Sequence, residues 1–261
     1  MDLDAIAMPL RKKVIPAMWP FRKKKKQIHG FIGASGLTDW WLTEFDDDER
    51  AHILATFQPM GASDGGRMLI EEKPSGDVSN PSHLLSTLAT WFKHETDRTI
   101  GFRIIDKAEE LLAASENVLT KHFTYQAKAM VYYRWRDTDS FALERAETAC
   151  RDQIQLAPLA AGAFLALAKK PFIEIRWGKD SREEALRKID LVQKGEATFD
   201  RYPPDTLPSH HGYKQLAIIL EKRGDYVAAG ALSKQAREQG WKGDWGVRIA
   251  RLNKRIAKLS N

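Results

Sequence analysis

Apolar residues recur at helical spacing along most of this chain, and the clearest stripe is Leu84, Leu85, Leu88, Trp91 and Phe92. These fall at i, i+1, i+4, i+7 and i+8, a wide face that only a buried helix presents. Asn80 stands where a cap is needed and Pro81 at the first helical position, where its missing N–H costs nothing. The same periodicity predicts helices over 46–57, 97–114, 117–135, 140–156, 159–169 and 181–194, a pair within 209–241, and a last one over 244–259. Acids at 46–48 suit a helix N-terminus, and Ser181 with Glu184 forms a capping-box pair ahead of an apolar side made of Ala185, Leu186, Ile189 and Val192.

Between these runs the pattern changes. Gly30, Gly33 and Gly36 in "GFIGASG" have neither the spacing of a dinucleotide loop nor the Lys-Ser or Lys-Thr of a P-loop, and "KKKKQIH" before them is no buried strand. They read instead as tight turns, after which Thr38 caps a short helix presenting Trp40, Trp41 and Leu42 to a core with Phe31, Ile32 and Leu37. Turn formers dominate 58–80, which predicts a long mobile loop with a short extended segment at 67–70. Residues 171–177, "PFIEIRW", alternate like a strand, but with no partner strand in view they are assigned to helix or loop.

Composition then narrows the class. With 261 residues and 43% hydrophobic content the chain can bury a substantial core. The single cysteine, Cys150, excludes an intramolecular disulfide framework and a multi-cysteine zinc site, and points to a reducing compartment. The longest apolar run, 157–168, is shorter than the roughly 20 residues of a spanning helix, and no signal-peptide pattern opens the chain. The expected location is the cytoplasm. The net charge of +6 is concentrated, because residues 11–26 hold eight basic side chains and no acid, leaving a body of about −2. Interleaved with Ile15, Met18, Trp19 and Phe21, that arm has the makeup of a contact for anionic lipid or nucleic acid; Pro9, Pro16 and Pro20 favour a solvated, poorly ordered leader.

The most informative stretch is 209–241, "SHHGYKQLAIILEKRGDYVAAGALSKQAREQGW". Leu216, Ile219 and Leu220 mark one buried face and Val227, Ala228, Ala231, Leu232 and Ala236 another, across the turn Gly224-Asp225-Tyr226. This unit resembles a tetratricopeptide repeat. With Gly224 and Asp225 on that motif's turn, Tyr213 takes its first aromatic position, Leu216 its leucine, and Ala229 and Ala236 its two alanines; Ala217 stands where glycine is usual and Ser233 where an aromatic is usual. A degenerate second unit runs over 124–158, where Ala127, Met130 and Val131 face Ala142, Ala146, Ala149 and Cys150. The whole chain is also similar to a group of bacterial proteins that pair such a glycine and tryptophan entry with a repeat-like end, a likeness that supplies no activity. The resemblance implies an all-α fold of tetratricopeptide-like antiparallel helix pairs forming an α-solenoid. Three regions follow: a basic N-terminal arm at 1–28, an entry segment at 29–80, and a helical repeat-like domain at 81–261. Its last helix is expected to act as a C-terminal cap, burying Trp245, Ile249, Leu252, Ile256 and Leu259 and leaving Arg248, Arg251, Lys254, Arg255 and Lys258 wet.

In repeats of this kind the first helix of each unit lines a concave groove. The resemblance therefore implies a partner-binding face of His211, Lys214, Ile218, Glu221 and Lys222, and an adaptor that holds a protein or peptide partner of acidic and apolar character. Ile218 stands where asparagine is common in carboxylate clamps, which turns the expectation away from a terminal carboxylate. No cofactor is implied. Local catalytic signals are missing: His94-Glu95 is not followed by the residues of a zinc motif, Ser35 lacks the spacing of a nucleophile elbow, and Cys150 lies among alanines as an inert thiol. His210 and His211 are adjacent, and neighbours on one helix do not share a face, which argues against joint metal ligation. Two other classes stay open, a small enzyme whose residues converge from distant helices and a nucleic-acid or membrane-surface binder using the basic arm.

Overall fold

A computed structural model describes residues 28–59, 65–71, 80–176, 178–199 and 206–259. The basic arm up to residue 27 lies outside these residues, as do Trp177 and two parts of the predicted loop, 60–64 and 72–79. The protein is mostly helical, with twelve α-helices among the described residues.

Three short helices open the described chain: α1 (Gly30–Ala34), α2 (Thr38–Glu44) and α3 (Asp47–Thr56). Gly30 takes φ +56°, and a Cβ there would sit 2.4 Å from the Ile70 nitrogen, so only glycine lets the entry lie against that strand of backbone. Thr38 is the first residue of α2 rather than its cap; Leu37 precedes it and no side chain caps the end. Asp46 caps α3 in a complete capping box with Glu49. The predicted extended segment at 67–70 is instead part of a 3-10 turn over Gly65–Leu69. Leu69 is fully buried there, because the turn docks against α1 and α3, with Met68 partly buried against the same core.

Next come α4 (Pro81–Ala89), α5 (Arg98–Glu110), α6 (Val118–Arg134) and α7 (Ala142–Gln155). Asn80 caps α4 and Pro81 opens it, as their positions predict, and Asn117 caps α6; both asparagines accept backbone N–H groups. The core runs continuously from the entry helices into this group: Ile32, Trp41, Phe45 and Ile53 share one cluster with Leu85, Leu88, Ile104, Ile105, Val131 and Tyr132. Burying each such leucine or isoleucine stabilises the fold by roughly 1.5–3 kcal/mol.

The chain then leaves through α8 (Ala157–Ala168) and α9 (Arg182–Gln193) and returns along β1 (Leu207–Ser209) to α10 (His211–Lys222), α11 (Tyr226–Glu238), β2 (Trp241–Lys242) and α12 (Trp245–Leu259). Ser181 caps α9, but the expected apolar side is not buried; no residue of α9 is, and Leu186 is exposed. Residues 171–176 form a loop that touches Thr198 through a single parallel bridge at Phe172. The pairing of β1 with β2, too short for any periodicity, was not foreseen.

Helix α6 packs on α7, α7 on α10, α10 on α11 and α11 on α12. Fully buried Ala146, Ala149, Ala217, Ala229 and Ala236 let these backbones approach closely. The α10–α11 turn is as predicted, with Gly224 at φ +83° and the Asp225 side chain capping α11 through the Ala228 N–H at 2.9 Å. Met130, expected to face α7, is exposed. On α12 the apolar stripe is buried at Trp245, Ile249 and Leu252, but Leu259 is exposed, and Arg248 is buried rather than wet. Arg248 lies inside because Glu221 of α10 meets its guanidinium at 2.5 Å.

Candidate functional site

Where α10 begins, α6 and α10 converge on Gln153, a fully buried side chain of α7. Its Oε1 accepts the Gly212 N–H at 2.7 Å, and its Nε2 donates to the His122 carbonyl at 3.1 Å. That orientation leaves Nε2 as the donor toward His122 Nε2, also at 3.1 Å. His122 therefore accepts at Nε2 and carries its proton on Nδ1. Gly212 is required by this approach: a Cβ would lie 2.8 Å from both the Cys150 carbonyl oxygen and Gln153 Oε1.

His210 is not on the helix. It is the extended N-cap of α10, with φ −104° and ψ 111°, and its Nδ1 accepts the Tyr213 N–H at 3.3 Å. Its proton accordingly sits on Nε2. Because the cap residue is extended while His211 is helical, the two neighbours both border one cavity, contrary to the expectation from residues on a single helix. Around them stand aromatic rings. His210 meets Trp241 edge-on at 4.6 Å and His122 at 4.9 Å, while His122 stacks on Trp241 at 5.9 Å. Trp245 folds back to donate its Nε1–H to the Trp241 carbonyl at 2.7 Å.

These residues wall a cavity of about 550 Å³. His122, Phe123, Phe164, His210, His211 and Trp245 supply its aromatic lining, and Lys214, Lys242 and Asp244 its charges. His122 Nδ1, His210 Nε2 and His211 Nε2 are buried and have no hydrogen-bond partner among the described residues. All three imidazoles are kept neutral. Burial pushes His122 down to about 4; burial, then neighbouring His122 and His211, pushes His210 to about 3; burial, then Lys214, pushes His211 to about 4. Lys214 and Lys242 are exposed and make no ion pair among the described residues. No group of three or more His, Cys, Asp or Glu among those residues is placed to hold a metal ion.

The residues predicted for the partner face divide. His211 and Lys214 line the cavity, and Ile218 continues the same side of α10, half-buried. Glu221 is already occupied: one carboxylate oxygen meets Arg248 at 2.5 Å and the other Arg251 at 2.6 Å. Lys222 is exposed with its Nζ 5.9 Å from the Tyr133 ring centroid. Cys150 is buried, and burial, then Glu147, pushes its thiol up to about 12, the state of an unreactive side chain. Sequence reasoning missed His122, Phe123, Gln153, Phe164, Lys242 and Asp244. Among protein-family models, curated proteins and solved structures, nothing matches the chain. No helix among the described residues is long and apolar enough to cross a membrane.

Proposed function

We propose that the protein is an interaction module, a tetratricopeptide-like helical array that binds an acidic, partly apolar peptide or protein segment along α10. The observation that carries this reading is the aromatic cavity at the start of α10, which opens beside Lys214 and Lys242, two lysines with no ion pair among the described residues. Recognition sites are concave and mostly apolar, with a few polar groups that orient the ligand. The packing order α6, α7, α10, α11, α12 supports an array of two helix pairs with a capping helix, into which α8 and α9 are inserted. His211, Lys214 and Ile218 then form the bound face, with Lys222 further along it.

Neutral histidines held near 3 to 4 are poor proton acceptors at neutral pH, which favours binding over acid–base catalysis at this place. The test is fluorescence anisotropy with a synthetic panel of acidic, aromatic-containing peptides and their lysine-for-glutamate counterparts. Acidic members are expected to bind preferentially, and the double variant Lys214→Glu with Lys222→Glu to weaken them by about tenfold or more while the protein melts as before. Equal binding by both charge classes, or a folded double variant that binds unchanged, would sink the reading.

A further inference from the structure

Two lysines and one aspartate border the cavity, and its three histidines are neutral, so its formal charge is +1. A single positive charge complements a monoanion. It is too little for a phosphate dianion, which sites of that kind meet with arginine clusters or runs of backbone N–H groups. The three orphaned imidazole nitrogens add neutral hydrogen-bonding capacity next to that charge. Two of them, His122 Nδ1 and His210 Nε2, are donors by the tautomers their neighbours fix. Buried polar groups without partners are uncommon in folded proteins, and three on residues of one cavity mark it as a place for an acceptor. The rest of the lining combines flat apolar rings with Pro208, Gly243 and the polar Gln126 and Ser209; of the rings, Phe164 and Trp245 are buried, whereas Phe123 stands about one-third exposed at the rim, edge-on to Phe164 at 5.9 Å.

We infer that the cavity takes a carboxylate carried on a flat apolar body. The ring sits among Phe123, Phe164 and Trp245, and the carboxylate turns toward Lys214 and Lys242 above the imidazole N–H groups. This rests on the reading of α10 as a face for an acidic partner, and names the anchor by which such a partner is held: an aromatic group joined to an acid by a short link. The cavity volume suits a group of that size, since pockets for small ligands span roughly 300–1,000 Å³.

The probe is phenylacetate, with phenylacetamide as its uncharged isostere, titrated into the full chain at pH 7.5 and followed by ligand-observed saturation-transfer NMR and calorimetry. Phenylacetate is expected to bind saturably and the amide at least about tenfold more weakly. Lys242→Glu and, separately, Phe123→Leu are each expected to weaken phenylacetate by about tenfold, Lys242→Glu with the circular dichroism melt unchanged because that side chain is exposed, and Phe123→Leu with the fold retained because leucine keeps apolar contact with Phe164 while removing the ring. An amide that binds as tightly as the acid overturns the carboxylate, and a folded Lys242→Glu protein with undiminished affinity overturns the assigned cavity. If acidic peptides bind and phenylacetate does not, the anchor is wrong and the interaction module stands. If neither binds, both fall.

Discussion

Three imidazoles that stay neutral inside the fold regain their ordinary basicity when the chain unfolds, and this ties stability to pH. The folded values of His122, His210 and His211 lie near 4, 3 and 4, below the unfolded value of about 6.5. Below that value the unfolded state binds protons that the folded state refuses, so stability is complete above about pH 6.5 and is lost as pH falls toward 4. Each histidine contributes a slope of up to about 1.4 kcal/mol per pH unit in that window. Urea unfolding between pH 7.5 and 5 should show the midpoint nearly level above about pH 6.5 and falling below it, and replacing His211 with asparagine should flatten that fall by about a third. A midpoint indifferent to pH across this range would mean that the rings are not held neutral.

At the scale of elements, the junction of α10 and α12 separates a buried ion pair from an exposed one on the same carboxylate. Arg248 is buried and meets one oxygen of Glu221, whereas Arg251 is half-exposed and meets the other. Arg248→Ala is expected to destabilise the protein by about 3 kcal/mol, because it leaves Glu221 partly buried beside a cavity. Arg251→Ala should change stability by less than about 1 kcal/mol. Chemical denaturation of the two variants checks the contrast, and equal losses would refute it. The caps Asn80 and Ser181, and the acid-led start of α3 at Asp46, were legible in the sequence because a cap acts on N–H groups two or three residues away. Arg248 was not, since its spacing on α12 suits solvent as well as it suits Glu221, 27 residues earlier. The cavity was hidden for the same reason. Gln153 reaches His122 across 31 residues and Gly212 across 59, separations that no local pattern encodes. The available signals were faint: a histidine pair just before a helix, a glycine inside that helix's first turn, and Phe123 off the apolar stripe.

Across the whole molecule stability is uneven. The entry helices, α4, α5, α6 and α7 share one core cluster, and two smaller clusters hold α6 and α7 to the C-terminal helices. Helix α9 has no buried residue, so its backbone is protected chiefly by its own hydrogen bonds and by a few side-chain pairs such as the largely enclosed Lys188 with Asp180 at 2.5 Å. Hydrogen exchange should find α9 opening by local fluctuation, with amides exchanging at least about a hundredfold faster than those of α6. Equal protection in the two helices would place α9 within the cooperative core.

The direct seating of α10 on α7 means that the intervening chain is a closed loop, fastened at Gln153 and Gly212. Loop entropy grows only with the logarithm of length, so halving or doubling such a detour changes its closure by about 0.6 kcal/mol. The stretch beyond α8, whose described residues lend no large buried side chain to the core clusters before Leu207, is thus the part of this fold where length is least constrained. A protein built this way can gain, lose or exchange an appendage there while the cavity and its two lysines keep their places.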